Sequence, residues 1–140
     1  MILDNQALFS DAQAITATAA SANTIDFGPV SPSVKNLDFG KGDKVALLVQ
    51  VVEDFNNLTS LQIDLELDTT ATFTPDRVIP LGTYLAAALK AGMQIVRDDL
   101  PRGLNMQFAR LKYTVTGTAP TTGKITAGIV AGVQSNGVTV

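Results

Sequence analysis

Two neighbouring segments with alternating side-chain character constrain the fold most strongly. Residues 107–117 and 123–133 each place an apolar or small residue at every second position, a pattern typical of half-buried strands. On the first segment, the apolar side carries Ala109, Leu111, Tyr113 and Val115. The connection between the segments contains Pro120 between two glycines, which indicates a turn. We therefore predict a long antiparallel hairpin at the centre of an all-β domain.

The rest of the chain predicts more short strands and almost no helix. Residues 45–52 are continuously apolar and β-branched, which indicates a strand covered on both faces. Residues 61–68 alternate strictly, with four apolar positions inward and four polar ones outward. Residues 71–79 form a weaker candidate, interrupted by a proline, and residues 84–89 favour one helical turn. These elements predict a jelly roll or antiparallel β-sandwich with at most one short helix.

The length and the segment pattern predict one domain with an unusual beginning. Residues 1–23 are rich in Ala, Thr and Ser, and they are predicted to form an N-terminal arm or an extended segment. Residues 24–140 are predicted to form the jelly-roll domain, and a chain of this length can bury a real core. Residues 30–42 contain proline and glycine and are expected to form a surface loop.

The charge content bears on the partners of this chain. Charged residues make up 16% of the sequence, against roughly 25% in a typical soluble domain. We therefore expect some apolar surface to meet another protein chain. The net charge is −3 and the basic residues are scattered, so we expect no nucleic-acid partner. No apolar run reaches the roughly 18 residues of a membrane span, and we expect neither a signal peptide nor a membrane anchor.

The residue types also limit the possible chemistry. The chain contains no His and no Cys, so the commonest nucleophile–base pairs cannot be assembled. The acidic pairs at residues 53–54 and 98–99 leave open a glycosidase or a calcium site, but their positions beside turn formers favour solvated side chains. Tyr113 lies on the apolar face of its strand, which favours core packing over sugar binding. We expect no enzyme, no metal and no cofactor.

Four segments of the sequence carry a resemblance to a known family. They are residues 1–4 (MILD), 9–18 (FSDAQAITAT), 50–59 (QVVEDFNNLT) and 113–130 (YTVTGTAPTTGKITAGIV). In their combination and order they resemble the capsid cement (decoration) proteins of short-tailed bacteriophages. The resemblance runs nearly end to end and is weakest over residues 76–97.

The resemblance implies a structural virion protein rather than an enzyme. Such a jelly-roll protein binds the outer surface of the icosahedral head, after assembly in the host cytoplasm. It clamps neighbouring major capsid protein subunits and pairs with itself as a homodimer. The expected partners are thus the major capsid protein and a second copy of this chain.

Nine residues are candidates for the capsid or self interface. Seven of them lie in predicted loops or in the small-residue segment near the N-terminus. The phenylalanines are included because exposed aromatic side chains often anchor interfaces. A phenylalanine at such a position is equally often buried in its own core. The two glycines indicate either curvature of the sheet or the close approach of a neighbouring strand or subunit. The candidates are Leu8, Phe9, Ile15, Leu37, Phe39, Phe55, Leu58, Gly128 and Gly132.

Three alternative functions stay open at this point. One is a carbohydrate-binding jelly-roll module on the virion, which an exposed Tyr84 in a groove would favour. Another is a structural protein of the tail or baseplate, which differs from cement by its place in the particle. The third is a glycosidase, which requires two carboxylates about 5 to 9.5 Å apart in a cleft.

Overall fold

The chain folds into two antiparallel sheets packed face to face. The computed structural model describes residues 3–29, 44–101, 103 and 105–132. The first sheet contains, in spatial order, β1 (Leu3–Ala14), β9 (Lys124–Val130), β4 (Ala46–Glu53) and β7 (Gln94–Asp99). The second contains β2 (Ala19–Ala20), β8 (Phe108–Gly117), β5 (Leu58–Asp68) and β6 (Arg77–Leu85), and β3 (Ile25–Asp26) also pairs with β8. A 3-10 helix, Ala86–Ala88, follows β6.

The order of the strands is that of a jelly roll. We treat β2 and β3 as one interrupted strand, because both pair with β8. Every connection then passes from one sheet to the other, except the one between β5 and β6, which are neighbours in the second sheet. Two sheets wound in this way form the double-sheet architecture of a jelly roll. In the part of the chain that the structure describes, the predicted all-β class with at most one short helix is confirmed.

The predicted hairpin between β8 and β9 is wrong. Both strands exist near the predicted positions, but β8 pairs with β5, β2 and β3, whereas β9 pairs with β1 and β4. The proline-containing turn carries the chain across the sandwich, so the two strands lie in opposite sheets. Alternation correctly identified the buried face of each strand, but the same alternation fits a strand paired with any neighbour.

The core lies between the two sheets and follows the predicted inward faces. The four inward leucine and isoleucine positions of β5 are fully buried. They pack with the inward residues of β4, β8 and β9 in one cluster. The main contributors are Leu61, Ile63, Leu65, Leu67, Leu47, Val49, Val51, Leu111, Tyr113, Ile125 and Ala127.

Residues 3–14 are part of the sandwich. β1 pairs with β9 from Leu3 opposite Val130 to Ala14 opposite Lys124, with irregular register between them. Phe9 and Ile15 are fully buried in the core. Of residues 1–23, predicted to form an arm or an extended segment, residues 3–14 form β1, and Leu8 and Phe9 of this strand are buried.

The weakly predicted strand at residues 71–79 lies further along the chain. β6 begins at Arg77, so Pro75 precedes the strand and Pro80 lies within it. β6 occupies one end of the second sheet, which is where proline is tolerated because an edge strand leaves some N–H groups unpaired. The predicted helical turn at residues 84–89 is present as the short 3-10 helix.

Candidate interaction surfaces

The turn at residues 53–57 closes one end of the sandwich through polar contacts. Asp54 Oδ1 accepts a hydrogen bond from the amide of Ala91 at 2.7 Å, and Lys90 Nζ lies 3.2 Å from Asp54 Oδ2. The Ala91 amide first, and Lys90 second, hold the pKa of Asp54 below its ordinary value. Asp54 thus connects this turn to the segment between the 3-10 helix and β7.

Asn56 connects the same turn to the segment between β8 and β9. Its Oδ1 accepts hydrogen bonds from the amides of Thr121 and Thr122, at 2.8 and 3.1 Å. Its Nδ2 donates to Thr121 Oγ1 at 2.7 Å. A side chain that meets three partners in this way fixes the turn in one conformation.

Phe55 and Leu58 are held inside by this turn. Phe55 is 3% exposed and Leu58 is 4% exposed, and both belong to the core. The Phe55 ring lies over Gly123, where a Cβ atom would collide with it and where φ is +131°. Phe55 and Leu58 are therefore core residues rather than exposed anchors, and the interface hypothesis does not describe their side chains.

Gly128 allows two strands of the first sheet to approach closely. A Cβ atom there would lie 2.9 Å from the carbonyl oxygen of Ala7 and 2.9 Å from Leu8 Cδ2. The close neighbour that the glycine pattern indicated is therefore β1 of the same chain. Leu8 itself is buried. A Cβ on Gly132 would have no heavy atom within 4 Å, and the candidates Leu37 and Phe39 lie outside the described residues.

A buried polar contact joins the N-terminal segment to the opposite sheet. Tyr113 on β8 and Ser10 on β1 are both fully buried, and their hydroxyl oxygens lie 2.8 Å apart. Ser10 Oγ donates to Gln13 Oε1 at 2.7 Å, and Gln13 Nε2 donates to the carbonyl of Ala20 at 2.9 Å. Burial raises the pKa of Tyr113 well above its ordinary range. Core packing, predicted for Tyr113, is confirmed.

The outward side of β5 is less accessible than its alternating sequence indicated. Asp64, Glu66 and Asp68 point away from the core, yet all three are buried. Glu66 Oε2 lies 2.6 Å from Arg110 Nε on β8, and the Phe73 ring lies 4.2 Å from the Arg110 guanidinium carbon. The ion pair with Arg110, whose guanidinium stacks on Phe73, therefore covers the Glu66 carboxylate on the outer face of the second sheet.

The acidic pairs considered for catalysis have local partners. Glu53 Oε2 lies 2.8 Å from Lys124 Nζ, Asp54 pairs with Lys90, and Asp99 Oδ2 lies 3.1 Å from Lys44 Nζ. Asp98 Oδ1 accepts the amide of Asp99. Among the described residues, no group of three or more acidic, His or Cys side chains is placed to hold a metal ion. Within the same residues, no helix has the length and hydropathy to cross a membrane.

Tyr84 does not form the exposed platform that the carbohydrate alternative requires. Its side chain is partly buried and packs against the core. Its hydroxyl donates to the carbonyl of Leu81 at 3.4 Å, and burial, followed by the charge of Asp98, raises its pKa.

The exposed large apolar side chains lie elsewhere than the nine candidates. In the described part of the chain they are Val52, Val78, Leu85 and Met93. Three of the four lie in residues 76–97, the segment in which the family resemblance is weakest. The sequence carried one signal for this region: the twelve residues 78–89 contain no charged side chain.

A family comparison identifies the group to which this jelly roll belongs. The Bbp16 family model matches residues 9–129, from the middle of β1 to the penultimate residue of β9. The chain belongs to the Bbp16 family. No curated protein matches it. Membership of the Bbp16 family, together with an all-β sandwich, indicates a phage-associated structural protein.

Proposed function

We propose that this Bbp16-family chain is a capsid cement protein. It binds the outer surface of the icosahedral phage head and clamps neighbouring major capsid proteins. In this role it acts as a homodimer, catalyses no reaction, and needs neither a cofactor nor nucleic acid. The observation that carries the proposal is the family match over residues 9–129, which includes all or part of every strand of the described jelly roll.

Two features of the chain support a role in protein contacts. Within the described residues, the two sheets bury their inward faces against each other in one core. The domain therefore arrives folded and offers a preformed surface. With charged residues at 16% of the sequence, that surface is less charged than usual, which suits contact with other protein chains.

The mechanism follows from mass action. A protein that binds only the assembled, expanded shell lowers the free energy of that state relative to every other state. At a free concentration a hundredfold above Kd, each occupied site contributes about 2.7 kcal/mol. Because a shell offers many equivalent sites, these contributions add over the whole particle and oppose the internal pressure of the packaged DNA.

Binding to empty shells tests the proposal directly. Purified chain is mixed with expanded empty heads that lack it, and the mixture is sedimented. We expect the chain to sediment with the heads at a fixed ratio and to raise their melting temperature in scanning calorimetry. A chain that stays in the supernatant and leaves shell melting unchanged would contradict the proposal.

The position of the chain in a purified virion separates cement from a tail or baseplate protein. Gold-labelled antibodies against the chain should decorate the head evenly in electron micrographs. Label confined to the tail would replace the cement proposal with the tail alternative.

A further inference from the structure

Edge strand β6 places a stripe of uncharged residues on the outer face of the second sheet. Its pairing with β5 is antiparallel, and directly opposed residues of such a pair share one face. Four residues of β6 lie opposite the outward polar residues Glu66, Asp64, Gln62 and Ser60. They form what we call the β6 stripe: Val78, Pro80, Thr83 and Leu85.

The β6 stripe is exposed and apolar at both of its ends. Leu85 is 65% exposed and Val78 is 50% exposed. Pro80 and Thr83 between them are exposed as well. Since the twelve residues 78–89 contain no charge, no long charged side chain from this segment shields the stripe. Exposed apolar groups on a continuous uncharged strand mark a contact site more strongly than scattered ones do.

The strand is poorly suited to pairing edge to edge with a second copy. Pro80 has no N–H group to donate. The register between β5 and β6 shifts between Ile63 opposite Gly82 and Asp64 opposite Pro80, so a bulge interrupts the strand near its middle. Prolines and bulges in edge strands obstruct the addition of another strand. Contact at the stripe is therefore made by side chains rather than by backbone hydrogen bonds.

The size and charge of the β6 stripe also point to its occupant. Stable two-chain interfaces bury about 800 Å² per partner, far more than two large side chains supply. The stripe alone is too small to hold a second copy, but it suits a site that is repeated many times on a lattice, where weak contacts act together. Both acidic residues opposite the stripe are buried and have partners, because Glu66 is paired with Arg110 and Asp64 accepts hydrogen bonds from Gln62. The complementary surface is therefore uncharged and apolar rather than basic.

We propose that the β6 stripe seats on an uncharged, apolar patch of the major capsid protein. This inference rests on the proposed cement function and assigns the surface that performs it. The assigned surface is an edge strand at one side of the jelly roll, whereas the sequence indicated loops and glycines. Of those candidates, Leu37 and Phe39 lie outside the described residues.

Site-specific labelling tests the assignment, because the chain contains no cysteine. Val78→Cys and Leu85→Cys report on the stripe. Val52→Cys and Met93→Cys are matched controls: the native residues are 40% and 49% exposed but lie at the end of β4 and just before β7, in the first sheet. Each variant is treated with a maleimide, free and bound to empty heads. We expect labelling to slow about tenfold on binding at the two stripe positions and to change little at the controls.

The outcomes separate this inference from the proposed function. If the variants sediment with heads but the stripe positions label as fast as in the free chain, the assignment is wrong and the cement function stands. Equal protection at all four positions would also overturn the assignment. If no variant and no wild-type chain sediments with heads, the cement proposal fails and the assignment fails with it. Protection that rises with concentration in the free chain would show that a second copy covers the stripe, against our proposal.

An affinity measurement gives a second, independent check. Leu85→Asp places a charge in the stripe, and Val52→Asp places the same charge at the control position. We expect Leu85→Asp to weaken head binding by about tenfold or more while Val52→Asp binds like the wild type. Melting curves that match the wild type confirm that both variants are folded. Equal binding by the two variants would overturn the assignment.

Discussion

The turn at residues 53–57 and the edge strand β6 both carry large apolar side chains near the surface, and the fold treats them in opposite ways. In the turn, Asp54 and Asn56 are bound to neighbouring segments, and this directs Phe55 into the core. In β6, the register directs Val78 and Leu85 away from the core, and no further layer of the described chain covers them. The difference teaches that register, rather than hydrophobicity, decides which apolar residue remains available to a partner.

The largest effect on stability is expected for Phe55 in the turn that follows β4. Phe55→Ala removes a fully packed ring and leaves a cavity above Gly123, so the free energy of unfolding should fall by about 3–5 kcal/mol. Urea denaturation followed by circular dichroism measures the loss. Met93→Ala, at an exposed position, should change stability by less than about 0.5 kcal/mol. Similar losses in the two variants would mean that Phe55 is not a core residue.

A second comparison uses Gly128 and Gly132, which the sequence pattern alone does not distinguish. Gly128→Ala forces the backbone of β1 away from β9, so the free energy of unfolding should fall by about 1–3 kcal/mol. Gly132→Ala meets no atom within 4 Å and should be neutral to within about 0.5 kcal/mol. Thermal unfolding of the pair decides the point. If both variants were neutral, β1 and β9 would not be in close contact at Gly128.

Substitution of Asn56 should lower the free energy of unfolding less than Phe55→Ala or Gly128→Ala. Asn56→Ala removes three hydrogen bonds to Thr121 and Thr122, and we expect a loss of about 1–2 kcal/mol. Asn56→Asp keeps the acceptor for both amides and removes only the donor to Thr121 Oγ1, so its loss should be about half as large. Equal losses from Ala and Asp in urea titrations would show that the two amide contacts contribute nothing.

The contribution of Asp54 should depend on pH. Its folded-state pKa lies below the ordinary value of 3.8, so the charged form is favoured by folding. The resulting stability is present above about pH 4 and is lost as the pH falls through the lowered pKa. The gap in melting temperature between wild type and Asp54→Asn should therefore shrink on acidification.

Lys90→Met provides the control for this pH effect. It leaves the Ala91 amide contact, the larger cause of the shift, in place. Its own gap to the wild type should therefore show a weaker dependence on pH than that of Asp54→Asn. A gap for Asp54→Asn that widened toward acid pH would show that the shift has the opposite sign.

The smallest effect on stability is expected for Leu85 on the edge strand β6. Leu85→Ser changes a side chain that is 65% exposed, so stability should stay within about 0.5 kcal/mol of the wild type. Calorimetry of the free chain measures this. A loss of several kcal/mol would mean that Leu85 packs against the rest of the fold and is not available to a partner.

The strands and their buried faces could be predicted because they depend on local periodicity. Leu61, Ile63, Leu65 and Leu67 repeat at every second position, and each is fully buried. The pairing of β8 and β9 could not be predicted in the same way. Both strands have the same period, so nothing local distinguishes a hairpin from two strands that face each other across the core.

The surfaces were harder to predict than the core, for reasons that are specific to each residue. Phe55 is buried by its contact with Gly123, far along the chain, and a turn composition does not reveal such a contact. Glu66 on the outward side of β5 is paired with Arg110, which lies over Phe73, and both partners come from other segments. β6 lies further along the chain than predicted, because Pro80, and not Pro75, is the proline within this edge strand.

The position of β9 between β1 and β4 has a consequence for the order of folding. β9 is synthesised after the other eight described strands, yet it is the strand that joins β1 to the rest of the first sheet. Until it leaves the ribosome, β1 and β4 each lack a neighbour, and the half-built sheet exposes its hydrogen-bonding edges. Such long-range closure is slow, and it exposes incomplete chains to misassociation. A copy that lacks β9 could therefore not join β1 to β4 in this sheet.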